Sequence, residues 1–331
     1  MAKKQITQHR LLDLAVTLLV IAVASTLRAA LHPVGDEAIA NTPTPAGIVL
    51  QNLQSSIPSL SAVVWCLCVI VAGLSVGRYA AKYSIYPAYT LMAIPILGIM
   101  AAAITISGDF LVSSAVLILM LYAIKYTHRC VMRTKSFGDL SLAMLFYGAL
   151  PLLFAPAAVF YIAMPVLTLL LYNSWRHWVV TVSSLLFPLL AVSYWDWCAG
   201  NEFLDSAELI YTSALAESEF HFFSVLNPVS IILIGVVLVM VFCTVTLILS
   251  DRYSLKTNSR TIMRFDALLL AVCLALFFMP SATATTFVLI SLPVAMLVPL
   301  MFVRMGFGFT EMLYRIMLLT AAVNLILLWW L

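Results

Sequence analysis

Apolar runs follow one another along this chain with so few charges inside them that a lipid bilayer is the solvent they fit. Eleven such runs cover residues 11–31, 60–80, 87–106, 111–125, 139–155, 157–173, 178–198, 228–250, 266–279, 285–303 and 310–330. A helix needs about 20 apolar residues to cross the hydrocarbon layer, and in lipid a helix satisfies its own backbone. The sequence is 64% hydrophobic and only 9% charged, against roughly 25% charged residues in soluble domains. A water-soluble fold of 331 residues would need polar surface that this chain lacks. The expectation is an all-α fold: one polytopic transmembrane helical bundle over residues 1–331, with ten or eleven membrane segments.

The loops orient it. With the N-terminus in the cytoplasm, 15 of the 17 Lys and Arg fall on the cytoplasmic side, and only Arg28 and Arg315 lie elsewhere. Nine of the 14 acidic residues fall on the other side: Asp36, Glu37, Asp109, Asp196, Glu202, Asp205, Glu208, Glu217 and Glu219. That asymmetry is what orients helices during insertion, and it implies a cytoplasmic N-terminus. Lys3, Lys4 and Arg10 before the first run faintly resemble a cleavable signal. The run continues to Leu31 and reads as an uncleaved anchor. The basic residues are spread over short loops rather than gathered in a patch, so nucleic acid is not an expected partner.

Three runs, 111–125, 139–155 and 266–279, are short for a crossing. The stretches 139–173 and 266–303 can therefore each be read as two crossings or as a re-entrant hairpin. Two outer loops are long, 32–59 and 199–227. In the second, Leu204, Ala207, Tyr211, Ala214, Leu215 and Phe222 recur at helical spacing. That pattern suits either an amphipathic helix on the membrane surface or a loop helix packed on the bundle.

Asp139-Leu-Ser-Leu-Ala-Met-Leu-Phe and Asp266-Ala-Leu-Leu-Leu-Ala-Val-Cys each follow a basic loop and open an apolar hairpin. Pro165 and Pro293 follow at offsets of 26 and 27, Arg176 and Arg304 at 37 and 38. This suggests a parallel repeat, 111–198 against 228–330, of the kind frequent in transporters. The alternative is that membrane hairpins built from Leu, Ala and Pro all look alike.

Polar chemistry is sparse. Cys66 and Cys68 are spaced C-x-C inside a membrane run and behave as small hydrophobes, and the five histidines show no metal-ligand spacing. Glu311 and Arg315 are four apart, a good ion-pair spacing on a helix. No run carries a carboxylate at its midpoint, which disfavours a proton- or sodium-coupled carrier. Asn173, Asn227 and Asn324 stand out as polar and nothing more. The outer pair Asp36-Glu37, just past the first run, could bind a divalent cation or act as a base.

On that pair, the cytoplasmic N-terminus and the first outer loop, the chain resembles the GT-C glycosyltransferase superfamily. The resemblance implies a sugar transferase using a polyprenyl-phosphate donor on the outer face. Asp36 and Glu37 would then be catalytic, Asp109 would join them at a metal, and Arg28 would contact the lipid phosphate. Over most of its length the chain also resembles a family of bacterial inner-membrane proteins, through Pro58-Ser-Leu-Ser-Ala62 and Tyr172-Asn-Ser-Trp-Arg-His-Trp178. That likeness brings no activity with it. Three functions stay open: such a transferase, a transporter or lipid flippase, and a non-catalytic membrane subunit of an envelope-assembly complex with membrane-protein partners.

Overall fold

In a computed structural model the chain is described over residues 11–31, 42–83, 85–86, 90–104, 108–133, 136–172, 174–218, 226–250 and 257–330. Every regular element among the described residues is helical. Nine helices are long and apolar enough to cross a membrane, and two apolar helical stretches, Ala93–Ala103 and Phe137–Leu152, are shorter. The chain is a multi-pass membrane protein with an all-α bundle fold.

α1 (Leu11–Leu31) runs antiparallel to α3 (Pro58–Lys82). Their close packing is made by glycine: Leu18 of α1 sits where side chains on Gly73 of α3 and Gly98 of α4 would be. Small residues at such crossings let helices approach where lipid supplies no hydrophobic drive. α5 (Phe110–Met132) runs parallel to α3. Gln54, just before α3, is hydrogen-bonded to Gly108 and Leu111, and Tyr79 in the last turns of α3 donates to the Lys125 carbonyl (2.9 Å).

Two parallel neighbours require the chain between them to return across the whole bundle. It does so through α4 (Ala93–Gly98) and a π-helical turn, Ile99–Ala103. These 11 helical residues span only about 16 Å at 1.5 Å per residue, about half of a hydrocarbon layer of roughly 30 Å. Non-helical backbone at membrane depth survives when protein covers it, and every residue described between Thr90 and Ile104 is buried. The sequence expectation of a full crossing helix over 87–106 is thus corrected to a short, broken and enclosed one.

The other enclosed element is α12 (Thr285–Leu297), continued by α13 (Pro299–Arg304). It packs against α3, α4, α5, α10 (Pro228–Ser250) and α11 (Thr257–Ala275, extended by a 3-10 turn to Phe278). α4 and α12 form the centre, ringed by α1, α3, α5, α11, α10 and α14 (Phe307–Trp330). A side lobe is built from α6 (Phe137–Ala149), α7 (Val159–Tyr172) and α8 (Trp175–Cys198). There Gly148 lies so close to the Leu185 carbonyl that a Cβ would stand 2.0 Å from it.

The stretches 139–173 and 266–303 differ in reach. α11 with its 3-10 turn and α12 with α13 are both long enough to cross, 22 and 20 residues. In the first stretch Ala155–Tyr172 reaches 18 residues, whereas Phe137–Leu152 stays short.

The two long loops supply α2 (Pro45–Ser56) and α9 (Asp205–Leu215). α2 begins with Pro45 after Thr44, whose hydroxyl accepts from Gly47 N–H (3.2 Å), a proline-led N-cap. α9 buries Ser206, Ile210, Ser213 and Ala214 against the bundle and leaves Leu204 and Tyr211 exposed. Of the two expectations for this helix, packing on the bundle holds.

Candidate functional site: a buried polar pair behind a basic groove

The basic helix ends gather at one end of the bundle. There His128 of α5 meets Asp266 of α11, Nε2 to Oδ1 at 2.7 Å, with both side chains fully buried. The residue after His128 makes the neighbouring contact: Arg129 Nε lies 3.2 Å from Asp139 Oδ1, at the start of α6. One turn of α5 therefore engages both aspartates that open the two hairpins.

The structure extends both helices beyond the sequence expectation. The run expected at 266–279 starts at Thr257, so Asp266 is the tenth residue of a 22-residue helix rather than its first. Asp266 thus lies inside a helix, at the end of the bundle where the basic helix ends gather. α5, expected to end at 125, continues to Met132 and carries Lys125, His128 and Arg129 within it.

Aromatic rings enclose the pair. Tyr79 of α3 stacks on His128 with centroids 5.6 Å apart, and Phe265 meets the imidazole edge-on at 6.4 Å. Tyr79, Tyr86 and the fully buried Tyr147 of α6 all lie within electrostatic reach of Asp266. Tyr86 donates to the Met296 carbonyl (2.6 Å), near the break between α12 and α13 that Pro299 marks. His128 Nδ1 and Asp266 Oδ2 are buried with no hydrogen-bond partner among the described residues. Buried polar atoms are nearly always paired, so two lone ones on one contacting pair single it out for a closer reading. Around the pair, Asp266 acts on Tyr79 of α3, on Tyr86 and on Tyr147 of α6, and the Arg129–Asp139 pair acts on Tyr79 in turn.

On the far face of Tyr79 a groove of about 500 Å³ opens between α3 and α5. α3 contributes Val71, Ser75, Arg78, Lys82 and Tyr83. α5 contributes Ile118, Leu121, Tyr122 and Lys125, and Met296 of α12 forms part of the floor. Lys125 Nζ lies 5.0 Å from the centre of the Tyr122 ring. A second pocket, about 200 Å³ between α4, α10, α11 and α12, is lined only by apolar side chains such as Leu270 and Phe287.

At the opposite end of the bundle, Asp109 precedes α5 and accepts from Gln51 Nε2 of α2 (3.2 Å). Asp36 and Glu37 lie outside the described residues. Arg28 sits in the last turn of α1, with its Nε buried. No three of His, Cys, Asp or Glu gather at metal-holding distance among the described residues. Glu311 and Arg315 form the expected i,i+4 ion pair. Asn324 has a part that sequence reasoning missed. It is fully buried, donates to the Ala103 carbonyl (2.6 Å) at the end of the π-turn, and accepts from Ser230 Oγ (2.9 Å).

The chain matches no protein-family model, no curated protein and no solved structure. Function is therefore argued from the site alone.

Proposed function

We propose that this chain is a membrane transporter of the lipid-flippase class, set in a bacterial inner membrane with its N-terminus and basic end in the cytoplasm. Protonation of the His128–Asp266 pair is coupled to movement of its substrate. One observation carries this reading: two titratable side chains, fully buried in membrane-length helices, stand one aromatic ring behind a groove. A buried ion pair stabilises a fold little more than apolar residues of its size, so a passive scaffold gains nothing from keeping one. Ionisable groups inside membrane helices instead mark proton relays and substrate paths. That argument weighs against the non-catalytic subunit.

The test is lipid movement in proteoliposomes carrying a trace of NBD-labelled phosphatidylglycerol, read by dithionite quenching under an imposed pH difference. Inner-leaflet label should reach the outer leaflet faster than in protein-free vesicles, at a rate that follows the pH difference. Asp266→Asn should return it to the protein-free rate. Wild-type vesicles that behave like protein-free ones would remove the reading.

The GT-C-like sugar transferase stands second. It rests on Asp36 and Glu37 with a divalent cation, and on Asp109, which Gln51 holds at the end where those residues' loop begins. Asp36→Asn should abolish sugar transfer from a polyprenyl-phosphate donor while leaving the protein folded. Full transfer by that variant rules it out.

A further inference from the structure

We infer that the groove between α3 and α5 is a binding site for a membrane lipid with an anionic phosphate headgroup, which enters sideways from the leaflet at the basic end. The argument starts from charge. Arg78 and Lys82 are four apart on α3, and like charges at that spacing repel. Lys125 faces the same cavity from α5, and no carboxylate is among the described lining residues. Lysine and arginine at helix ends commonly reach out singly to the interface. Here three line one groove, and an anion placed among them offsets their mutual repulsion.

Shape supplies the rest. The cations lie at the α3 and α5 helix ends, whereas the groove continues toward mid-bundle past Val71, Ile118 and Met296, which are apolar. Val71 is 54% exposed, so the groove opens at its apolar end to the surrounding lipid. A soluble anion would use the cations and leave that apolar channel unfilled. A lipid fills both: phosphate among Arg78, Lys82 and Lys125, with the first methylenes of its chains against Val71 and Ile118. Ser75 and Tyr83 add hydroxyls to the lining. About 500 Å³ is within the range of small-molecule sites, large enough for a headgroup and the start of its chains. Basic pockets between membrane helices hold anionic lipid headgroups in this way.

Binding here does not require that the lipid be moved, so it stands or falls separately from transport. The experiment is native mass spectrometry of the full-length protein in detergent, titrated with phosphatidylglycerol, with phosphatidylcholine and with undecaprenyl phosphate. Wild type should retain the two anionic lipids at least tenfold better than phosphatidylcholine. The relative retention of these two tells which class of phosphate lipid the groove prefers. Arg78→Gln/Lys82→Gln/Lys125→Gln should lose that preference. Ser75→Trp keeps every charge but fills the groove, and should lose retention of all three lipids. Monodisperse elution and an unchanged melting temperature confirm that each variant is folded. Equal retention of anionic and neutral lipids by wild type, or undiminished retention by either variant, overturns the site. So does displacement of bound lipid by millimolar inorganic phosphate, which would make the groove a soluble-anion site.

Discussion

Asp266 and Asp139 open matching apolar runs in the sequence, yet Asp139 stands in the first turn of α6 and Asp266 well inside α11, and their surroundings differ completely. Asp266 is fully buried against a fully buried histidine. Asp139 is 9% exposed, and its partner Arg129 is 30% exposed. Arginine is always charged and weakly hydrated, which suits a pair at the bundle edge with one side in water. Histidine is the side chain whose charge changes near neutral pH. Adjacent residues of α5 thus pair with the two aspartates in two chemical styles, a guanidinium at the bundle edge and an imidazole in its interior. The succession of elements around them also runs in parallel: a long helix, a helix ending in a 3-10 turn, a proline-bearing helix, an Arg, and another long helix. A duplicated ancestor whose two copies diverged at this point accounts for that order, and we propose it on the element order and spacing together.

The contrast yields predictions that can break it. Asp266→Ala leaves a buried histidine without its partner and should cost about 3–5 kcal/mol, seen as a large drop in melting temperature in detergent. Asp139→Ala leaves Arg129, whose side chain is 30% exposed and can turn to solvent, so it should cost less than Asp266→Ala. Its melting temperature should fall by clearly less. If the two substitutions cost the same, the difference between the sites is not one of burial, and the comparison fails.

The architecture was legible in the sequence and the site was not, for one physical reason. Charges are costly in lipid, so the runs 111–125 and 266–279 are bounded at Lys125 and Asp266. Those bounds leave His128 outside the first run and set Asp266 at the very start of the second. Inside the protein the cost is removed by pairing, which no single-segment reading can see: His128 and Asp266 are 138 residues apart. The same holds for Asn324, whose partners at Ala103 and Ile104 lie 221 and 220 residues away. What survived was what depends on local pattern: the fold class, the apolar runs behind the nine span-length helices among the described residues, the Glu311–Arg315 pair, and a helix in the loop 199–227. The π-turn carried no signal of its own, since its residues, Ile99-Met-Ala-Ala-Ala103, read as ordinary apolar helix.

The central claim is that His128 and Asp266 are kept for proton-linked movement rather than for stability. The doubly neutral chain His128→Gln/Asp266→Asn keeps the size of both side chains and the capacity to hydrogen-bond, and removes titration. In proteoliposomes under a pH difference, beside a melting curve of the same preparation, the account predicts a melting temperature close to wild type and lipid movement at the protein-free rate. Wild-type lipid movement by that folded, non-titrating variant would contradict it.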